Sequence, residues 1–450
     1  MSTAAPAGVD GPLVDLLAHG VGGRDDLPLP ADVVAVAAGV VLVVTFAGLV
    51  VLRRHPTRPG ALAGRPVPRR LDGAVSAPAV RGVARTLAVL ASLYVGLAAF
   101  FGPDDALNPT LYVVYVHLWV GLVPASLLLG PVWRFVSPIR GLHAAACAVA
   151  GVDRDVGLAD PPKQLGWWPA AAGLAAFVWV ELVAPFGSSA RALGVLAVAY
   201  TAVQLVLGVR YGSRWFERGE AFEAYSSLLG RMAPVGRRDD GVLVLRTPVQ
   251  GLDTVAAAPG LVAVVAVLVG SAAFDSVQGL RSWLDATQGL DVPTWLVGTV
   301  GLVSALALAA LLYRLGSPVS TPGGPTPAEM PGLFAHSLLP IAAGYQIAHY
   351  TSLLLFEGQR GFLLLSDPLG RGDDWLGVGD RAVDFALVPA TAIAVVQVAA
   401  VVGGHVLGVF SAHDRAVRLT RPGDVVRSQA PLLVLMVAVT VLGLLLLFAT

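Results

Sequence analysis

The stretch AGYQIAHYTSLLL places Tyr345, His349 and Ser352 at spacings of four and three residues. On a helix these three share one face, so an imidazole sits between two hydroxyls inside an otherwise apolar segment. Other ionisable groups interrupt apolar runs in the same way. They are His117 in VVYVHLWVG, Glu181 in FVWVELV and His405 in VVGGHVLG, with Asp275 closing VGSAAFD. His336 and the His413–Asp414 pair of SAHDR stand at the edges of such runs, and Gln346 and Gln397 lie within them. Inside lipid a charge costs a few kcal/mol or more, so each ionisable residue there is a functional candidate. The chemistry open to them is proton exchange between carboxylate and imidazole, or binding of a small solute or ion. Two histidines at matched depth on different helices could also ligate a haem.

Each residue taken alone also has a plainer reading. A single intramembrane histidine is commonly a hydrogen-bonded packing residue. Glu181, near an interface, can snorkel or stay protonated, and His336 and His413 can be solvated or cap a helix. The sequence contains no GxxxxGK[ST], GxSxG, HExxH or HxH pattern, so nucleotide-loop, serine-elbow and zinc-hydrolase chemistry have no motif here. Cys147 is the single cysteine, which excludes an internal disulfide and a cysteine metal cage. No metal site is expected, and no cofactor is specified.

The elements that must position these residues are long apolar stretches. The chain of 450 residues is 56% hydrophobic and 13% charged, with mean hydropathy +0.73. An ordinary globular domain is about 25% charged. A crossing needs about 20 apolar residues, and ten stretches qualify: 32–52, 85–102, 109–130, 168–186, 191–210, 258–274, 294–313, 333–356, 384–410 and 430–448. The expected fold is an all-α integral membrane bundle of about ten helices, preceded by an extracytoplasmic segment 1–31. Zero net charge gives no pull towards nucleic acid; the expected partners are the bilayer and a small-molecule or ion ligand.

Basic residues set the orientation. With both termini outside, 24 of the 30 Lys and Arg residues fall in inner segments and 6 in outer ones. The basic loops 53–85 and 211–257 are then cytoplasmic. Residues 131–150 read as an interfacial or re-entrant helix. RWFERGEAFEAYSSLLGRM reads as a helix lying on the inner surface, and 357–383 as an outer loop. Trp167, Trp168, Trp283, Trp295 and Trp375 fall at or beside interfaces. Orientation also assigns depth. His349, Glu181, Asp275, His117, Tyr345, Gln346 and Gln397 form an outer candidate cluster. His336, His405, His413 and Asp414 form an inner one. Gly404 and Gly408 make a GxxxG that should bring a helix close to His405, and His336 is its expected partner at the same depth.

Several stretches are similar to one family: NPTLYVVYVHLWVGL at 108–122, WWPAAAGLAAFVWVELV at 167–183, YGSRWFERGEAFEAYSSLLGRMAP at 211–234, FAHSLLPIAAGYQIAHYTSLLLFEGQ at 334–359 and QVAAVVGGHVLGVFSAHDRA at 397–416. HGVGGRDDLPLP at 19–30 and SDPLG at 366–370 add to them. The chain resembles the bacterial, largely actinobacterial, polytopic membrane proteins labelled fenitrothion hydrolase. That resemblance implies a multi-pass protein of the bacterial cytoplasmic membrane, and its label implies organophosphate ester cleavage. It carries no assigned catalytic residues. The chain departs from the family pattern at His117 and Glu357, which shifts weight to His336, His349, His405, His413 and Asp275. The leading reading is a transporter or channel-like protein for a small solute or ion. The alternatives are a membrane-embedded ester hydrolase and a haem- or metal-binding subunit.

Overall fold

The computed structural model describes residues 30–53 and 60–448. The expected outer segment up to residue 29, with most of the 19–30 stretch, lies outside the described residues, as do Arg54 and Arg58 of the first basic loop. The chain folds almost entirely as helices. The longer ones are α1 (Ala31–Leu52), α2 (Pro78–Phe101), α3 (Pro109–Leu129), α4 (Pro138–Ala150), α5 (Trp168–Leu182) and α6 (Ala190–Tyr211). They continue as α7 (Ala221–Leu229), α8 (Leu261–Gln278), α9 (Thr294–Gly316), α10 (Leu339–Leu364), α11 (Ala390–Leu419) and α12 (Val425–Leu447). Among the described residues eight helices are long and apolar enough to cross a membrane: α1, α2, α3, α6, α8, α9, α11 and α12. The two other expected spans are also helical. α5 has only 15 residues, and α10 has 26 but carries the polar stripe.

Helix starts follow local chemistry. Asn108 accepts the Thr110 N–H at the start of α3, Ser137 the Arg140 N–H at α4, and Ser189 the Ala192 N–H at α6. Proline opens α2 and α4, where its missing N–H is no loss. The middle of α3, Val113–Val120, is wound as a π-helix.

α8 and α10 lie inside the bundle, and α2 and α9 at its rim, with Leu87, Leu90, Val300 and Val303 exposed. α10 and α11 are pressed together through glycine. A Cβ on Gly404 would stand 2.3 Å from the Pro340 carbonyl oxygen, one on Gly408 2.7 Å from that of Ser337, and one on Gly344 2.3 Å from that of Ala400. The expected GxxxG contact is therefore present, reinforced from the partner helix.

Connecting segments meet in two groups. In one, a small antiparallel sheet joins β1 (Arg65–Pro66), β2 (Val235–Arg237) and β3 (Leu243–Leu245) in the order β1-β3-β2. The same group holds Gly60 N–H on Asp253 at 2.8 Å and Arg134 on Glu217 at 2.6 Å. In the other, Ser189 donates to Asp104 at 2.9 Å and Tyr94 to the Leu365 carbonyl at 2.5 Å.

The segment expected to lie flat on the inner surface does not. Glu220, Glu223, Tyr225, Leu228 and Leu229 of the α7 region are all buried, and Tyr225 stacks on Trp119 at 4.8 Å. Gly219 lets the chain turn tightly over Trp215, and Glu220 caps α7, so the segment can enter the bundle. Trp167 is likewise buried, with the Arg218 guanidinium over its ring.

Candidate functional site

Asp275 lies one turn before the end of α8 and is 6% exposed. Its Oδ2 accepts hydrogen bonds from His349 Nε2 at 2.8 Å and from the Tyr350 hydroxyl at 2.7 Å, both on α10. Its Oδ1 accepts from Gln278 Nε2 at 3.0 Å. Tyr345 completes the wall. Its ring stacks on His349 with centroids 5.9 Å apart, and its hydroxyl pairs with Ser276 at 2.6 Å. Tyr350 meets His349 edge-on at 4.6 Å. The carboxylate thus has three neutral or titratable partners and no guanidinium. Together Asp275 and His349 form an ion pair only while the imidazole is protonated.

Glu181 on α5 stands within electrostatic range of Asp275. Its field also reaches Tyr115, Tyr225 and Tyr350. The Tyr225 hydroxyl is buried and has no hydrogen-bond partner among the described residues. Glu181 makes no hydrogen bond to this group among the described residues, so the bonded cluster is Asp275, His349, Tyr350 and Gln278, with Tyr345 stacked on His349.

The other outer candidates do not join this group. His117 donates from Nε2 to the Gly358 carbonyl at 3.0 Å. Gly358 is nine residues beyond His349, about 13 Å along the helix, so His117 ties the π-helical turn of α3 to α10. Gln397 donates to the Ala348 carbonyl at 2.9 Å, and its Oε1, like Gln346 Oε1 and Ser352 Oγ, is buried without a partner. Neither glutamine bridges the two expected clusters.

The inner candidates separate as well. His405 bonds to the Val401 carbonyl of its own helix at 2.9 Å, leaving Nε2 buried and unpartnered. His336 reaches α11 at the Ser411 carbonyl, 3.4 Å away, six residues past His405. The expected His336–His405 pair is not formed, and a haem bridging the two has no support. His336 and His413 are 1% and 2% exposed, not solvated, because the Met330–Leu338 segment and the end of α11 fold into the bundle. His413 bonds to the Arg53 carbonyl at 3.1 Å and accepts from Gln429 at 3.3 Å. Asp414 pairs with Arg418 at 3.2 Å.

Two ionic groups, the first partly buried and the second fully buried, were not expected. Asp253 binds Arg415 at 3.2 Å and Arg418 more closely, and it accepts the Gly60 N–H. Burial alone raises its carboxyl, but the Arg418 hydrogen bond, the Gly60 amide and the two cationic charges outweigh burial and hold it at about 2. Arg140 grips Glu223 with two bonds of 2.5 and 2.7 Å, beside Glu220, which takes Trp133 and Tyr200. Both groups use arginines counted above only for orientation. Tyr350 and Gln278 were also missed. Tyr350 is adjacent to His349 and so off its stripe, but α8 packs between the two. Among the described residues no three His, Cys, Asp or Glu converge as a metal site. In comparison with protein-family models, curated proteins and solved structures, nothing matches this chain.

Proposed function

We propose that the chain is a transporter that moves a proton, alone or with a small solute or ion, through the Asp275–His349 pair. The carrying observation is that Asp275, buried at membrane depth, is balanced by an imidazole and a phenol rather than by a permanent cation. A carboxylate locked by arginine cannot give up its charge cheaply. A carboxylate–imidazole pair can, because its counter-charge is carried by a proton that an imidazole is able to release.

Ten crossings with both termini outside are part of this reading. What supports ten is parity. If α5 did not cross, β1 and β3 would lie on opposite faces, yet they pair. If α10 did not cross, Arg418 and Asp253 would lie on opposite faces, yet they bond. The excess of basic residues on the sheet's side supports placing it in the cytoplasm.

Proteoliposomes loaded with a pH-sensitive dye test the proposal. Wild-type protein should conduct protons under an imposed potassium diffusion potential, and Asp275→Asn should be at least tenfold slower. Equal rates would overturn it. Ester hydrolysis is the second reading. It is favoured by the family resemblance and by the same Asp–His pair, which could activate a water as a general base. Release of nitrophenol from a nitrophenyl phosphorothioate triester, lost in His349→Gln, would favour it over transport.

A further inference from the structure

A second site lies away from this pair, where α4 packs across the inner end of α2. The contact is close: a Cβ on Gly141 would stand 3.2 Å from that of Arg85. It crowds cations together. The electrostatic neighbours of the half-buried Arg85 are Arg140, Arg154, Arg81 and Glu223. Three nearby carboxylates are already engaged by other arginines. Glu223 is held by Arg140 through two bonds, Glu217 by Arg134, and Asp72 by Arg237. Arg85 gives one nitrogen to the Arg134 carbonyl at 3.3 Å, and its Nε is buried with no partner among the described residues. Arg81 reaches only the Ser76 carbonyl at 2.8 Å. Arg81 and Arg85 are four residues apart and share a helix face. Arg81 and Arg85 thus present two guanidiniums with no carboxylate bonded to them among the described residues, and Arg154, between Asp153 and Asp155, lies within electrostatic range of Arg85. The surface beside them is apolar: Val80, Val83 and Leu87 on α2, Val149 at the end of α4 and Val152 just after it are all exposed.

We propose that this cleft binds the phosphate headgroup of an anionic phospholipid. Arg81, Arg85 and Arg154 take the phosphate, and the acyl chains lie along Val80, Val83 and Leu87. A planar guanidinium suits phosphate oxygens, and basic pockets between helices at a membrane surface are suited to such lipids. The exposed apolar flank singles out a lipid over a soluble phosphate, because only a lipid fills both halves of the surface. This proposal is independent of transport.

Native mass spectrometry of the full chain tests it, with phosphatidylglycerol and phosphatidylcholine added in equal amounts. Wild-type protein should retain phosphatidylglycerol preferentially. Arg85→Gln, and separately the more exposed Arg81→Gln/Arg154→Gln pair, should reduce that retention by about fivefold per arginine removed. The second variant keeps the test open if Arg85→Gln fails to fold. Equal retention of the two lipids by wild type, or undiminished retention by the double variant, would overturn the site. Displacement of the lipid by free glycerol phosphate at equal concentration would overturn its assignment to a lipid.

Discussion

Asp253, partly buried, and Asp275, buried, are neutralised in opposite ways. Asp253 faces Arg415 and Arg418, which stay charged at any pH the protein meets. Asp275 faces His349, Tyr350 and Gln278. The first is a joint. It fastens the segment after α1, the loop before α8 and the end of α11, so three distant pieces of chain share one carboxylate. The second binds only α8 to α10, and its charge balance depends on where a proton resides. Permanent pairing suits holding elements together; titratable pairing suits a site whose charge must change.

The comparison is broken most severely at the joint. Asp253→Ala leaves two arginines facing each other with little solvent. Breaking a partly buried pair costs less than the about 3 kcal/mol of a fully buried one, so denaturant unfolding in detergent should show a loss of about 2 kcal/mol. The smaller Asp275→Asn loss should leave the fold intact. Next comes the packing that brings α10 against α11. Gly404→Leu forces a side chain onto the Pro340 carbonyl and should cost about 1–3 kcal/mol by overpacking. Wild-type stability in that variant would show the close contact to be absent. At the proton site, Tyr350→Phe removes one hydrogen bond to the Asp275 carboxylate, worth about 1.5 kcal/mol. Proton flux should fall about tenfold with folding unchanged, and unaltered flux would remove Tyr350 from the site.

The smallest effect is acid sensitivity of the joint. The Asp253 carboxyl is held at about 2, below its ordinary 3.8. A carboxyl depressed on folding contributes stability that is complete above about pH 4 and is lost as pH falls towards 2. An acid unfolding series should lose that part of its slope in Asp253→Ala. A slope identical to wild type would show that the ion pair contributes nothing in solution.

Much of the fold was legible because lipid imposes a simple rule of length and hydropathy. Every expected span contains a helix, although 384–389 precede α11 and 183–186 follow α5. The misplaced limits come from helices that outrun the apolar stretch: α2 begins at Pro78, and α10 continues through Glu357 and Arg360, which pair with each other at 2.8 Å. The site was legible in part. The Tyr345–His349 stripe follows from helical spacing, and Asp275 from depth. Tyr350 was hidden because helix periodicity assigns neighbours to different faces, whereas α8 packs over the edge between them. The α7 insertion was hidden for a different reason. Glu220 and Glu223 read as surface charges until Arg140, Trp133 and Tyr200 are brought beside them, and nothing in a linear sequence states that partnership. His336 and His405 failed as a pair because similar depth does not fix which faces of α10 and α11 meet. The glycines set that contact at Gly344, Gly404 and Gly408, and it sends His336 to Ser411 instead.

Infrared difference spectroscopy of the reconstituted protein across a pH titration tests the proton pair most directly, with carboxyl and imidazole bands followed together. The expected result is a pH-dependent change that disappears in both Asp275→Asn and His349→Gln and survives in Asp253→Asn. A wild-type spectrum that is unchanged by pH, or a change that persists in Asp275→Asn, would contradict a titratable Asp275–His349 pair.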